Sequence, residues 1–112
     1  MGSFATRQVI LLPFPFSDLS ASKLRPALLL APAGKGDGVL CQITSKPYAD
    51  PDAVMLEAAD FAEGSLQLTS YARPGKLFTA NAALFQRSTG LLHAAAHAKV
   101  VDVIVRMLRA GD

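Results

Sequence analysis

Short apolar runs, closely spaced and each cut off by proline or polar residues, limit what this chain can fold into more than any other feature. Val9–Leu12 and Ala27–Leu30 are two of them, and a third lies within Gly38-Val-Leu-Cys-Gln-Ile-Thr-Ser-Lys-Pro47. Runs this short suit strands rather than helices, and Val9–Leu12 is apolar on both faces, as a strand covered on both sides would be. Pro13 and Pro15 cannot donate ladder hydrogen bonds, so the first strand ends there, and Pro26 is expected to open the second. The polar stretch Ser17–Lys23 between them reads as a loop. Ala33-Gly-Lys-Gly-Asp-Gly38 has the composition of a turn. In the third strand Val39, Cys41 and Ile43 share one face, while Leu40, Gln42 and Thr44 share the other. If the three strands are neighbours, Arg25, Thr44, Ser45 and Lys46 gather at one edge of a small sheet. That is a compact anion site of one guanidinium, two hydroxyls and an ammonium.

The remainder is less even. Pro47–Asp52 is a loop, and Ala53–Phe61 fits a helix by composition or a strand by length. Ser65–Thr69 and Leu77–Ala80 read as short strands joined by a turn at Pro74-Gly75, and Ala83–Thr89 as a strand or a helical turn. From His93 to Arg109 there is neither Gly nor Pro, and apolar residues recur at helical spacing. Val100, Val101, Ile104, Met107 and Leu108 form the expected buried stripe. Arg106 and Arg109 suit the negative end of the helix dipole, and Gly111 suits its stop. The expected architecture is mainly β with α: a small barrel or coiled sheet closed by a C-terminal helix.

With 112 residues, the chain has room for one domain over 1–112. Hydrophobic residues make up 51% and charged residues 18%, which excludes intrinsic disorder. A net charge of +2 permits nucleic-acid binding, but only a local basic patch would argue for it. Cys41 is the only cysteine, so no intrachain disulfide can form. A reducing compartment fits best, and Cys41 reads as a small core residue rather than a reactive thiol. Neither a signal peptide nor an apolar run of membrane-spanning length stands out, so a cytoplasmic location is expected. His93 and His97 have the spacing that puts two imidazoles on one helix face. No glutamate follows His93 and no third ligand is evident, so no metal is expected. Gly34-Lys-Gly-Asp-Gly38 lacks the spacing of a phosphate-binding loop, and no cofactor is expected.

Three segments taken together, Pro13-Phe-Pro-Phe-Ser-Asp-Leu-Ser-Ala-Ser-Lys-Leu-Arg-Pro-Ala27, Leu40-Cys-Gln-Ile-Thr-Ser-Lys46 and Arg73-Pro-Gly-Lys-Leu-Phe-Thr79, resemble the MazF/PemK (Kid) toxins of bacterial type II toxin–antitoxin systems. The resemblance runs in order from about residue 9 to the C-terminal helix. It implies an SH3-like β-barrel with a C-terminal helix, a homodimer, a cognate antitoxin partner, and metal-independent cleavage of single-stranded RNA. It also implies a strand near Ala53–Leu56. By position, the family's catalytic arginine falls on Arg25 and its catalytic hydroxyl on Thr44. The chain departs from the family where members usually carry Gly-Asp just before the first apolar run: here those places hold Arg7 and Gln8.

Cleavage without metal has the 2′-hydroxyl attack its own phosphate, leaving a 2′,3′-cyclic phosphate and a free 5′-hydroxyl. Negative charge gathers on the non-bridging oxygens, and a guanidinium meets it with bidentate, charge-assisted hydrogen bonds. Arg25 suits that electrostatic role, since its high pKa makes it a poor proton donor. Thr44 would hold a phosphate oxygen or position the attacking hydroxyl, and the sequence identifies no general base. Lys23, Lys46, Arg73 and Lys76 are candidates for phosphate contacts, Phe14 and Phe16 for base stacking. Gln42 shares the Thr44 face, Ser45 is an accessory hydroxyl, and Ser20 and Ser22 would shape the cleft. A non-catalytic binding module, such as the CcdB-type gyrase binders that share this barrel, is the alternative. So is a degenerate toxin that keeps only its antitoxin interface.

Overall fold

Apolar runs on both faces of a strand demand cover on both faces, and the computed structural model, which describes residues 4–13, 23–47 and 49–111, supplies it. Seven strands are present among the described residues: β1 (Gln8–Pro13), β2 (Leu24–Gly34), β3 (Asp37–Thr44), β4 (Val54–Leu56), β5 (Phe61–Gly64), β6 (Ser70–Asn81) and β7 (Arg87–Leu92). One helix follows, α1 (Ala94–Ala110). All strand pairs are antiparallel, in the order β4-β6-β3-β2-β1-β7-β5.

That order forces the sheet to curl. Its two edge strands, β4 and β5, are consecutive in sequence, separated only by Glu57 and a 3₁₀ turn at Ala58–Asp60. Six strand gaps in a flat sheet would put the edges about 29 Å apart. The five residue steps from Leu56 to Phe61 reach about 17 Å at most. The sheet therefore wraps into a half-barrel, and α1 packs on β6, β4 and β7.

The two faces carry separate cores. One gathers Val9, Leu28, Cys41, Ile43, Leu56 and Leu92 with Ala96, Val100 and Ile104 of α1. The other gathers Ile10, Leu12, Leu29, Leu40, Phe78 and Phe85. Within β1 alone, Val9 belongs to the first and Ile10 and Leu12 to the second. Cys41 is fully buried, its thiol donates to the Arg73 carbonyl at 3.1 Å, and burial pushes its pKa up to about 12. It is an inert core group.

Several expectations need correction. Pro26 does not open β2 but sits at its third position, opposite Leu11 of β1. The β2–β3 turn shrinks to Lys35-Gly36, whose φ values of 55° and 82° give the left-handed pair that a tight hairpin needs. No turn forms at Pro74-Gly75, because β6 runs through it. The register with β3 passes from Cys41↔Leu77 to Ile43↔Ala72, so Arg73–Lys76 bulge opposite Gln42. A bulge tolerates a residue without N–H, and Pro74 is fully buried there. Ser65–Thr69 is not a strand; the strand β5 lies just before it. Ala53–Phe61 divides into β4 and the 3₁₀ turn, with the strand where the resemblance implied it. Ala83–Thr89 spans both alternatives, a 3₁₀ turn at Ala82–Leu84 and the start of β7. On α1, Leu108 is 65% exposed while Val103 packs against the core. Gly111 caps the helix with φ −78°, so its stop uses no left-handed residue.

Candidate functional site

In an antiparallel sheet the end of one strand lies beside the start of the next. The end of β1, the start of β2, the end of β3 and the start of β7 therefore share one end of the sheet. A hollow of about 820 Å³ opens there. Arg25 and Pro26 line it from β2, Gln42–Thr44 from β3, and Ser45 and Lys46 from the chain just beyond. The segment Ser65–Leu68 and Arg87–Thr89 of β7 complete it. Another hollow, about 550 Å³, lies at the opposite end near the β2–β3 turn and is walled largely by Phe4, Leu29, Pro32 and Phe85.

The two residues expected to do chemistry line the same hollow, just beyond the last β2–β3 pair. Ala27 pairs with Gln42. Arg25 and Thr44 each lie two residues beyond that pair on their own strands. Arg25 is exposed and has no ion-pair partner among the described residues. The Lys46 backbone N–H donates to Thr44 Oγ1 at 3.1 Å. This contact fixes the hydroxyl oxygen and leaves its own hydrogen to donate outward.

The lining is chemically one-sided. Arg25, Lys46 and Arg87 are its cations, Gln42 and Gln67 its amides, and no carboxylate or imidazole is among its described residues. With no carboxylate among the described lining residues, three cations in a concave wall favour an anion. The described lining can hold and polarise a phosphodiester through Arg25 and Thr44. It contains no group suited to take a proton near neutral pH.

Of the other expected residues, Gln42, Ser45 and Lys46 come to this hollow, and Lys23, Arg73 and Lys76 do not line it. Lys23 is exposed just before β2, and Lys76 is exposed on the β6 bulge. Arg73 Nε donates to Asp50 Oδ2 at 3.1 Å, an ion pair with the arginine side chain only 20% exposed. Phe14, Phe16, Ser20 and Ser22 lie outside the described residues.

Sequence reading missed the β7 and β5–β6 walls. Arg87, Ser88, Thr89, Gln67, Ser65 and Ser70 all line the hollow. Three of their hydroxyls are already committed. Ser70 donates to the Leu68 carbonyl at 2.9 Å, Ser88 to Gly90 at 3.1 Å and Thr89 to Val9 at 3.4 Å. Arg87 has no local sequence signal. It reaches the site because β7, far along the chain, pairs with β1.

No family model and no curated protein matches the chain. Solved structures do match its fold. The Mycobacterium tuberculosis toxin MazF-mt6 superposes with a TM-score of 0.71 at 17% identity, covering 92% of this chain and 97% of that one. A MazE–MazF structure from Deinococcus radiodurans gives 0.72 at 20% identity, covering 92% and 94%. An endoribonuclease in complex with its cognate antitoxin, from a mycobacterial species, gives 0.71 at 17% identity, covering 96% and 95%. The fold is MazF-like.

Proposed function

We propose that this protein is the toxin of a type II toxin–antitoxin pair, a single-domain, sequence-selective endoribonuclease that cuts single-stranded RNA without a metal. The observation that carries the reading is the presence of Arg25 and Thr44 together in the lining of a hollow whose described charged residues are all cations. The likeness to MazF structures, one of them an endoribonuclease with its antitoxin, supports it. Arg25 stabilises the charge that builds on the phosphate oxygens, and Thr44 donates a hydrogen bond to one of them. Lys46 and Ser45 secure the neighbouring backbone, and Gln42 contacts the nucleotide. Lys23, Arg73 and Lys76 belong at most to an outer track. The products are a 2′,3′-cyclic phosphate and a 5′-hydroxyl. The working form is a homodimer in the cytoplasm, neutralised when an acidic antitoxin segment covers the same groove. No helix among the described residues is long and apolar enough to cross a membrane.

The test incubates purified protein and EDTA with a long mixed-sequence RNA and maps the cut ends. Site-selective cuts ending in cyclic phosphate, reduced by about 100-fold or more in both Arg25→Ala and Thr44→Ala, are the expected result. Absence of cleavage by folded wild-type protein on several RNAs would replace this reading with antitoxin binding alone.

A further inference from the structure

We infer that Arg87 is a second phosphate-binding residue of the hollow, gripping the RNA backbone one position away from the phosphate held by Arg25. The inference rests on the ribonuclease reading above and adds a residue that the sequence motifs do not contain.

The geometry begins with β1. This strand lies between β2 and β7, and its last residues pair with an arginine on each side, Leu12 with Arg25 and Leu11 with Arg87, so the two arginines leave opposite faces of the sheet at its end. Two strand spacings separate the arginine backbones by about 10 Å across the sheet. Both line the same hollow. The Arg87 backbone is pinned in place, because the adjacent Gln86 N–H donates to the Leu11 carbonyl at 2.9 Å.

Arg87 is also the available donor on its wall. The Ser88 and Thr89 hydroxyls donate to backbone carbonyls, at 3.1 Å and 3.4 Å. Arg87 itself is exposed and forms no ion pair among the described residues. An exposed guanidinium with no acid among the described residues of its hollow can offer its donors to an incoming anion. One phosphate can satisfy Arg25 and Thr44 together. The arginine on the far side of β1 is then placed for the next phosphate of an extended polyanion. Two fixed cations on either side of one strand also set the direction of the backbone across the site.

Counterion release supplies the readout. Each phosphate contact on a single strand contributes about 0.7 to the slope of log affinity against log salt. Binding would be measured with a mixed-sequence single-stranded 2′-O-methyl RNA, which lacks the attacking hydroxyl, across a salt series. We expect Arg87→Gln to weaken binding about tenfold at low salt and to reduce the slope by about 0.7. Arg87→Lys should keep the slope, and Lys99→Gln, exposed on α1, should change neither quantity. If Arg87→Gln lowers the melting temperature, Arg87→Met keeps the aliphatic stem and carries the same comparison. An unchanged slope and affinity in a folded Arg87 variant, beside a wild-type protein that binds RNA, would overturn this inference and leave the Arg25–Thr44 reading standing. Failure of the wild type to bind any RNA would remove both.

Discussion

At Arg7 the chain departs from the family it resembles, at a position whose backbone suits glycine. By the resemblance, members usually carry glycine there, and Arg7 adopts the left-handed conformation that favours glycine, with φ 77°. Two hydrogen bonds hold it: its N–H donates to the Leu29 carbonyl at 2.9 Å, and its carbonyl accepts from the Leu92 N–H at 2.8 Å. These bonds tie the start of β1 to β2 and to the end of β7, so the surroundings dictate the conformation and the side chain bears the strain. The neighbouring change is compensated too, since Gln8 Oε1 accepts the Ala5 N–H at 2.7 Å. A left-handed non-glycine residue costs about 1–2 kcal/mol, and glycine's greater freedom in the unfolded chain offsets part of the relief. Arg7→Gly should therefore stabilise the protein by about 0.5–1 kcal/mol, a rise of roughly 2–4 °C in melting temperature. A fall in melting temperature would show that the Arg7 side chain contributes more than its backbone costs.

Among the elements, β5 is held at the sheet edge by close backbone approach to β7 and by one buried side chain, Phe61. Three of its four residues are exposed, and it pairs only with β7. A Cβ added at Gly90 would sit 2.8 Å from the Glu63 carbonyl oxygen and 2.8 Å from Phe61 Cδ2. Gly90→Ala must push β5 away, at about 1–3 kcal/mol. The cost should appear as faster amide exchange in Phe61–Gly64 ahead of the rest of the sheet, with a lower melting temperature. Exchange unchanged there would mean that β5 yields without loss. This closeness explains what the sequence could not reveal. Val9–Leu12, Ala27–Leu30 and the alternation from Val39 to Thr44 announce β1–β3, because burial on defined faces leaves a pattern. The same pattern set Arg25, just before the second run, and Thr44, at the end of the third, at one end of the sheet. Beta5, with one buried residue, leaves no such pattern, and β6 hides a bulge behind Pro74-Gly75, which reads locally as a turn. Arg87 is invisible for a third reason, since its role arises from pairing with a strand about 75 residues earlier in the chain.

For the molecule as a whole, stability depends on how α1 seals the curled sheet, and that seam contains a titratable group. His97 is half-buried on α1 between Arg7 and Leu30, and its Nδ1 is buried with no hydrogen-bond partner. Burial pushes its pKa below the ordinary value of 6.5, and the Arg7 charge adds to the effect. A hydrogen bond with the Leu30 backbone acts in the opposite direction. The folded protein thus resists protonation more than the unfolded chain does. Above the unfolded value both forms are neutral and the contribution is flat. As pH falls below it, the unfolded chain takes up the proton first, and stability declines until the folded value is passed. Urea unfolding at about pH 7.5 and about pH 5 should show this loss in the wild type and a smaller one in His97→Leu, which places an apolar side chain in the seam. Arg7→Gly, by removing the nearby charge, should also reduce the acid loss. Equal acid sensitivity in all three proteins would locate the effect in the carboxylates and separate the helix seam from the pH response.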